Sequence, residues 1–480
     1  MYRRRRFGSP AASAKGAFMI HAVVGAGGKT SLIHSLAEKY RKEGKSVFIT
    51  TTTHMYREPD TLLTDDPEKI IARLNSCGYA FAGLPCGEKI SSLSYETYEK
   101  VCACADEVLV EADGSRHMPL KLPASHEPVI PANADKITVV CGLHALGSMA
   151  SEVVFRLSEV PDSFGVAPND IITPKTLQHL VRKGYRDRLK KEYPDKELSF
   201  YAANDGSLYQ RALAALIEAD MDTDLLAPEW FSKKPCLFIC GAGHVAKELA
   251  DLAARIDMRV KVIDPRPEFA NRERFPFAEQ IICDSFSSLK NYLEPDAFYA
   301  VMTPGHVDDF TCVGAILDSS YRYLGMMGSR KKVAKVREDL AVSGFSEQQI
   351  ATLHAPIGLS IGAISPAEIA VSVLAEIIEI KNRYPNSSAQ SQLLNSTEHG
   401  VLCIIIEKRG SAPRGAGSMM LVTDHAQIDT IGGGAIEYAA INDAKAAKAA
   451  FVREYSLSNE TARTLGMVCG GTNKILFLPV

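Results

Sequence analysis

The sequence predicts an α/β protein built from three parts: a P-loop-like α/β domain, a Rossmann-like doubly wound domain and a small C-terminal α/β domain. Apolar runs typical of buried strands alternate with helical patterns along most of the chain, which favours parallel sheets. Glycine-rich turns stand repeatedly between such a strand and the helix that follows it. The length of 480 residues exceeds what one hydrophobic core usually supports and indicates about three domains.

Composition and charge argue against several classes of protein. With 46% hydrophobic residues, 23% charged residues and a net charge of −3, the chain suits a soluble globular protein and does not favour nucleic-acid binding. No segment approaches the run of about 18 apolar residues that predicts a membrane span. The eleven cysteines are scattered and suggest no disulfide framework, so we expect a cytoplasmic protein. Residues 1–17 lack the apolar core of a signal peptide, and we expect a disordered extension there.

The first glycine-rich turn follows a strand predicted over 18–24 and leads into a helix. In the segment GAGGKTS, backbone N–H groups would surround phosphates, Lys29 would reach the outer phosphates and Thr30 would ligate magnesium. Val23 takes the position of the first glycine in the usual P-loop motif, so the loop is shorter or differently shaped. We predict a site for ATP or GTP with magnesium. Its predicted binding residues are Gly25, Gly27, Gly28, Lys29, Thr30 and Ser31.

Acidic residues end a further predicted strand of this first part. The run VLV is followed by Glu111 and Asp113, and carboxylates at the carboxyl edge of a sheet suit magnesium or its bound water. We predict Asp113 as the magnesium ligand, with Glu111 as the alternative. The proline-rich segment that follows carries Arg116, Lys121 and His126, which either face an anionic ligand or belong to a solvated loop.

The most informative stretch lies between Cys236 and Asp264, where a strand, a glycine turn, a helix and a second strand end on an acid. This order is that of a dinucleotide-binding βαβ unit. Gly241 permits the tight turn, Gly243 lets a pyrophosphate approach the helix start, and Asp264 lies where a carboxylate can bind a ribose hydroxyl. The unit predicts NAD(P) or a related nucleotide, against the alternative of a glycine turn that only packs.

Two more features of the Rossmann-like domain belong to the same predicted edge. His244 and His306 both stand at strand-to-helix junctions, and we expect them to act together as ligand contacts, although each alone is more typical of a structural residue. The turn at Gly328, Ser329 and Arg330 opens another helix and predicts a second anion site. The alternative there is a charged helix start that faces solvent.

The last part of the chain begins after a polar, Ser/Asn/Gln-rich segment at 386–398, which indicates a linker. Beyond it, three consecutive glycines precede an alanine-rich helix and leave N–H groups open to a ligand. Arg414 can bind a phosphate or carboxylate bidentately, and Cys469 is either an accessible thiol or a small buried side chain. The residues assigned to this site are Arg414, Gly432, Gly433, Gly434, Glu437 and Cys469.

Specific motifs in each part of the chain resemble known families. GAGGKTSL, TTTTHM and EADGSR resemble the YqeC-type accessory proteins of selenium-dependent molybdenum hydroxylases. CGAGHVA, GMMGSRKK and APIGLSIGAISPAEIAVSVLAEII resemble the Rossmann domain of the XdhC/CoxI family, the xanthine dehydrogenase accessory factors. GSAPRGAG, TIGGGAIE and MVCGG resemble the other half of that family. The predicted domains are 18–225, 230–385 and 399–480.

The resemblance implies a maturation factor for selenium-dependent molybdenum hydroxylases. Such a protein would hold molybdenum cofactor (molybdopterin), assist its modification with sulfur or selenium, and deliver it to the apo-hydroxylase. A cysteine desulfurase or selenium donor would be a further partner, and a homo-oligomer is expected. Cys469 would act as a soft ligand or chalcogen relay beside Arg414 and Glu437, the three residues assigned as catalytic. The first domain would bind nucleotide with magnesium and could gate loading by hydrolysis.

Two departures from the family and two rival functions accompany this implication. The family usually carries the glycine-triplet domain before the Rossmann domain, so the chain looks permuted, and Ala435 stands where some relatives have cysteine. One rival is an NAD(P)-dependent oxidoreductase that uses Gly241, Gly243 and Asp264. The other is a P-loop NTPase switch whose remaining domains only bind partners.

Overall fold

The computed structural model describes residues 18–159, 164–232, 234–383, 389, 391–410, 414–456 and 471–480. The chain forms two compact units. The first comprises Met1–Leu225, Ala447–Phe451 and Leu478–Val480, and the second comprises Leu226–Ala446 and Val452–Phe477. Within the described ranges, no helix combines the length and the apolar character that crossing a membrane requires.

The first unit is built on one large, mostly parallel sheet. Its strands are β1 (Met19–Gly25), β2 (Val47–Thr51), β3 (His54–Tyr56), β4 (Leu62–Leu63), β5 (Tyr79–Cys86), β6 (Lys89–Ser91), β7 (Glu107–Glu111), β8 (Leu120–Lys121), β9 (Lys136–Gly142), β10 (Val154–Phe155) and β11 (Glu197–Ala203). In the described residues, nine of them form the sheet in the order β11-β9-β1-β7-β2-β5-β6-β3 with β4 beside β5, while β8 pairs with β10. The strands from β11 to β5 in this order pair in parallel, whereas β6 is antiparallel to both β5 and β3.

Helices cover both faces of this sheet. They are α1 (Lys29–Lys42), α2 (Pro67–Cys77), α3 (Tyr95–Cys102), α4 (Ala150–Val153), α5 (Pro174–Val181), α6 (Asp187–Glu192) and α7 (Leu208–Glu218), with a π-helical turn at Arg182–Arg186 between α5 and α6. Val23 packs with Ile33 of α1 in one apolar core, whereas Ala22 and Val24 belong to the larger core on the other face. Burial on both faces explains why β1 is an unbroken apolar run rather than an alternating one.

The second unit contains a Rossmann domain, which confirms the predicted fold class. Its strands are β12 (Cys236–Cys240), β13 (Arg259–Ile263), β14 (Gln280–Ile282), β15 (Ala297–Val301), β16 (Tyr321–Met326) and β17 (Leu353–His354). All six are parallel and lie in the order β14-β13-β12-β15-β16-β17. The strand order reverses between β12 and β15, and ligands of open α/β sheets bind in the crevice at this point.

Helices enclose the Rossmann sheet from both sides. They are α8 (His244–Arg255), α9 (His306–Leu317), α10 (Arg330–Val342), α11 (Glu347–Ala351) and α12 (Pro366–Lys381). α8 and α12 share one core through residues such as Leu249 and Ile377, while α9 and α10 contribute Cys312 and Val333 to the core on the opposite face. Both hydrogen bonds of a capping box, with Ser365 as the N-cap, fix the start of α12.

The last part of the chain forms a small sheet with one long helix. Its elements are α13 (Ser391–Leu394), β18 (Val401–Arg409), β19 (Met419–Val422), β20 (Gln427–Asp429), α14 (Gly434–Ala446), β21 (Phe451–Ser456) and β22 (Thr472–Pro479). The strand order is β20-β19-β18-β22-β21, with antiparallel pairing from β18 through β20. The predicted linker is not uniformly solvated, because Leu393 of α13 is fully buried.

Candidate functional site

The first glycine turn joins β1 to α1 and depends on left-handed backbone conformations. Gly25, Gly27 and Gly28 have φ angles of 91°, 73° and 137°. An added Cβ atom would lie 2.2 Å from the carbonyl oxygen of Val140 at Gly25 and 2.5 Å from that of Pro119 at Gly27. The chain can make this turn only with glycine at these positions.

The start of α1 offers backbone N–H donors to an anion. Gly28 is the N-cap, and no side chain of the described residues caps the helix or places an acid in its first turn. Because the first N–H groups of a helix lack intrahelical partners and lie at the positive end of its dipole, they favour a phosphate. Thr30 and Ser31 are exposed at this helix start. The turn therefore brings the predicted loop residues together around one anion-binding position.

Lys29 is a buried cation at the base of this position. Its side chain is only 5% exposed, and its Nζ donates to the Gly25 carbonyl oxygen at 2.8 Å and to Ser115 Oγ at 3.3 Å. The Glu111 carboxylate lies 3.9 Å from Nζ. Burial lowers the pKa of Lys29, and the nearby Glu111 and Asp113 oppose that effect. A phosphate at the helix start would supply this ammonium with a further negative partner.

The two carboxylates that follow β7 have different surroundings. Thr30 Oγ1 donates to Glu111 Oε2 at 3.2 Å, which places Glu111 beside the helix start. Asp113 is fully buried, and its carboxylate forms an ion pair with Lys121 and accepts hydrogen bonds from Tyr185 Oη at 2.7 Å and from the Gly25 N–H at 3.2 Å. Since both oxygens of Asp113 are engaged, Glu111 is the carboxylate that geometry favours for a magnesium ion next to Thr30.

Two substitutions separate these roles. Asp113→Asn is expected to lower the free energy of unfolding of the first unit by about 3 kcal/mol, because the buried Lys121 loses one of its two charge partners and keeps only Glu127. Glu111→Gln is expected to change stability far less but to reduce the magnesium dependence of nucleotide binding. Thermal unfolding and nucleotide titrations with and without magnesium measure both. The assignment is reversed if Asp113→Asn keeps its stability and loses the magnesium dependence.

A cavity of about 1010 Å³ opens in front of the turn. Its charged lining consists of Lys29, Lys89, Arg116, Arg156, Glu111 and Glu127. Arg116 stacks on the Phe155 ring, 5.4 Å from its centroid, and His126 also lines the space. Lys121, which the sequence placed with these residues, is instead buried between Asp113 and Glu127. The cavity therefore presents more positive than negative side chains, which suits a polyanionic ligand.

The second glycine turn lies at the point where the Rossmann strand order reverses. Gly241 has a φ of 102°, and a Cβ atom there would stand 2.4 Å from the Met302 carbonyl oxygen after β15. At Gly243, in contrast, a Cβ atom would meet no described atom within 4 Å. Exposed His244 and His306 open α8 and α9, and no described side chain caps either helix. The crevice thus joins two uncapped helix starts with room for a ligand beside Gly243.

Asp264, the predicted ribose contact, is fully buried in this structure. Its carboxylate accepts hydrogen bonds from the Ala242 N–H at 2.8 Å and from three nitrogens of Arg266: the backbone N–H at 3.0 Å, Nε at 2.8 Å and Nη2 at 2.8 Å. Burial opposes ionisation, but these donors outweigh it and lower the pKa of Asp264. The carboxylate is therefore an internal acceptor that holds the glycine turn to the end of β13.

The predicted turn before α10 forms a polar network with α9. Ser329 is the N-cap of α10, and its side chain accepts from the Lys332 N–H at 3.3 Å, so its hydroxyl oxygen has an internal partner. Lys332 pairs with the buried Asp309, which also accepts from Thr303 Oγ1 at 2.5 Å. Arg330 is exposed. The sequence places Lys332 among the basic residues of this turn but does not show its ion pair, because the partner lies on another helix.

The glycine triplet before α14 is closed by a side chain of its own helix. Gly432, Gly433 and Gly434 have φ angles of 126°, 74° and 73°. The Glu437 carboxylate accepts from the Gly433 N–H at 3.0 Å, from the Ile431 N–H at 2.9 Å and from the Thr430 hydroxyl. The carboxylate that the sequence analysis assigned as catalytic is therefore a cap on the loop, and it occupies donors that were expected to face a ligand.

Arg414 lies beside the same loop. Its Nη1 donates to the Thr430 carbonyl oxygen at 3.0 Å and lies 3.6 Å from the buried Asp429 carboxylate. The structure thus brings Arg414, the glycine triplet and Glu437 together through Thr430. Cys469, the third residue of the predicted catalytic set, lies outside the described residues.

These features define the class of protein. The chain is a multidomain α/β protein with a Rossmann domain and two glycine turns at helix starts that no described side chain caps. Comparison with known proteins identifies its regions. Residues 21–158 match the family model of YqeC protein, 237–377 match the XdhC Rossmann domain, and 393–455 match the XdhC and CoxI family. The chain therefore has one region similar to YqeC protein and two regions similar to the XdhC and CoxI family, and each model covers less than half of it.

Individual relatives agree with these assignments. Uncharacterized protein YqeC of Escherichia coli K12 is 38% identical over 169 residues, which is 33% of this chain and 66% of that protein. Uncharacterized protein YqeB of the same organism is 37% identical over 155 residues, 32% of this chain and 28% of that protein. A probable xanthine dehydrogenase subunit of Bacillus subtilis is 34% identical over 153 residues, 31% of this chain and 44% of that protein. The chain spans between 28% and 66% of these curated relatives.

Solved structures include a xanthine dehydrogenase from Bacillus halodurans. The two sequences are 30% identical, and the matched region is 31% of this chain and 45% of the xanthine dehydrogenase chain. The TM-score of the superposition is 0.29.

Proposed function

We propose that this chain is a maturation factor for xanthine dehydrogenase-like enzymes. The observation that carries the proposal is the presence of both XdhC/CoxI-family regions and a YqeC region in one chain. In its finer form, the protein holds molybdenum cofactor, assists its modification with sulfur or selenium, and delivers it to an apo-hydroxylase. A cysteine desulfurase or selenium donor and a second copy of the chain are the further partners of this proposal.

The Rossmann crevice is the proposed place of the bound cofactor or nucleotide. It fits a phosphate-bearing molecule, because the open space at Gly243 lets a ligand reach the first N–H groups of α8. His244 and His306 are the exposed first residues of α8 and α9, and they would donate hydrogen bonds to the ligand or accept them from it. The molybdenum cofactor supplies the redox-active metal of the hydroxylase, whereas the residues of this chain bind it, orient it and release it.

The first unit is the proposed nucleotide site. Lys29 and the helix start would hold the phosphates of ATP or GTP, and Thr30 with Glu111 would hold magnesium. In the described residues, no three His, Cys, Asp or Glu side chains form a metal cluster by themselves. A magnesium ion would therefore need the nucleotide phosphates and water to complete its ligand set. Nucleotide hydrolysis would gate the loading or release of cofactor.

The last part of the chain is proposed to handle the sulfur or selenium. Arg414 would contact an anionic group beside the glycine triplet, and Glu437 would act by holding that loop rather than by contacting the reacting atoms. Cys469 keeps its predicted role as a soft ligand or chalcogen relay.

Cofactor content tests the finer proposal. The full chain is purified after expression with a molybdenum supply and examined by elemental analysis for molybdenum and selenium and by mass spectrometry of released small molecules. Stoichiometric molybdopterin is the expected result. A bound nicotinamide dinucleotide without molybdenum would contradict the carrier role and favour the NAD(P)-dependent oxidoreductase.

A further inference from the structure

Two arginines stack on one aromatic ring beside the Rossmann glycine turn. The guanidinium carbon of Arg266 lies 4.0 Å from the centroid of the Phe269 ring, and that of Arg274 lies 5.0 Å from it. Arg274 Nη2 also donates to the Ala242 carbonyl oxygen at 3.2 Å. Both cations are thereby held rigidly at the end of β13, next to the turn that leads into α8.

The hydrogen-bonding capacity of this stack is only partly used. Nε and Nη2 of Arg266 donate hydrogen bonds to the Asp264 carboxylate. Nη1 of Arg266 has no hydrogen-bond partner in the described part of the chain. Arg274 Nε is buried without a hydrogen-bond partner among the same residues. Glu268, the other nearby acid, is exposed and forms no ion pair with a described residue. Nη1 of Arg266, on a side chain that is 35% exposed, therefore remains available to a ligand.

The position of the stack indicates which ligand group it recognises. In Rossmann domains the end of the second strand faces the ribose, where a carboxylate binds the hydroxyls or an arginine binds a phosphate on the sugar. The Asp264 carboxylate already accepts four N–H donors and offers little to a hydroxyl. Two planar guanidinium groups, in contrast, match the oxygens of a phosphomonoester and bind them through charge-assisted hydrogen bonds.

We propose that Arg266, Phe269 and Arg274 form a subsite for a phosphomonoester and make the Rossmann site selective for ligands that carry one. This inference rests on the proposed function, because it names the class of ligand that the same crevice would bind. Two sources have this chemistry: the 2′-phosphate of NADP(H), and the terminal phosphate of molybdopterin, which is esterified in its dinucleotide forms.

Binding of two matched ligand pairs to the full chain tests the subsite. The probes are NADPH against NADH, and molybdopterin against its cytidine dinucleotide, with affinity measured by fluorescence. In at least one pair, the ligand that carries the phosphomonoester is expected to bind at least about tenfold more tightly than the ligand without it. Arg274→Gln and Phe269→Leu are expected to remove most of that preference without weakening the other member of the pair.

Arg272→Gln is the matched control, because Arg272 lies in the same segment but donates to the Ala278 carbonyl oxygen. Its affinities should equal those of the unaltered chain, and circular dichroism verifies folding of each variant. A preference in the nicotinamide pair identifies the ribose phosphate as the source, and one in the molybdopterin pair identifies the pterin phosphate. Three results would overturn the subsite. They are failure of all four probes to bind, equal affinity within both pairs, and a preference that persists in both variants. Equal affinity within both pairs overturns the subsite alone, whereas failure of both molybdopterin forms to bind also contradicts the carrier role.

Discussion

A Lys29→Met substitution is expected to weaken the binding of a nucleoside triphosphate to the first unit by about 100-fold, which corresponds to about 2.7 kcal/mol. Lys29 Nζ is held at the turn by the Gly25 carbonyl oxygen and by Ser115, and it is shielded from water. A phosphate at the start of α1 would meet this ammonium inside a cavity rather than at an exposed surface, where salt and water would weaken the attraction. Methionine keeps the apolar stem but removes the charge.

Titration of ATP and GTP with magnesium, by calorimetry or with a fluorescent analogue, measures the effect. Lys42→Met serves as the control, because Lys42 lies at the other end of the same helix in an exposed pair with Glu38. Its nucleotide affinity should remain that of the unaltered chain. If folded Lys29→Met protein binds nucleotide as well as the control does, the first glycine turn is not a phosphate site.

Gly243→Ala is expected to weaken ligand binding at the Rossmann crevice by at least about tenfold while leaving the fold intact. The φ of Gly243 is −68°, an ordinary value, and a Cβ atom there would meet no described atom within 4 Å. The new methyl group would therefore stand only in the space left for a ligand. Retention of molybdopterin or binding of NADPH measures the loss, and thermal unfolding shows that the domain is undisturbed.

Gly241→Ala is the contrasting variant in the same turn. Its φ of 102° and the 2.4 Å approach of a Cβ atom to the Met302 carbonyl oxygen predict a loss of more than about 2 kcal/mol in stability. The account of the crevice fails if Gly243→Ala binds ligand normally, or if it destabilises the domain as much as Gly241→Ala does.

Local sequence patterns were sufficient to predict the Rossmann domain. The strand, helix and second strand predicted between Cys236 and Asp264 are present as β12, α8 and β13, and a capping box stands at the start of α12. These elements are specified by features that neighbours in sequence share: continuous apolar runs, a glycine at the turn, and a serine followed three positions later by glutamate. The parallel pairing follows from the same alternation, because parallel strands need crossover connections, which are usually helices.

The roles of individual acids could not be predicted in the same way. Whether Asp113 or Glu111 faces the first helix start depends on Tyr185, whose hydroxyl reaches Asp113 from 72 positions along the chain. Asp264 has the spacing of a ribose ligand, yet Arg266 saturates its carboxylate. Tertiary packing brings Tyr185 to Asp113. Arg266 is only two residues from Asp264, but the spacing of the acid does not show that the arginine side chain folds back onto it.

The composition of a segment also does not show which of its side chains are buried or already bonded. The predicted linker contains a buried leucine, Leu393, which a composition rich in serine, asparagine and glutamine conceals. Similarly, Glu437 was assigned to chemistry because it follows a glycine triplet, whereas the structure shows its carboxylate bonded back to the Gly433 and Ile431 N–H groups. A carboxylate in the first turn of a helix often serves the helix itself.

Activation of an apo-hydroxylase tests the central claim most directly. A xanthine dehydrogenase-like enzyme is produced in cells that lack this chain, and its activity is measured before and after incubation with the purified protein and a source of molybdenum cofactor. The account predicts that activity rises with the full chain and that the Gly243→Ala variant restores much less of it. Full activity of the hydroxylase produced without the chain, or equal activation by Gly243→Ala, would contradict the proposed maturation role and the place assigned to the cofactor.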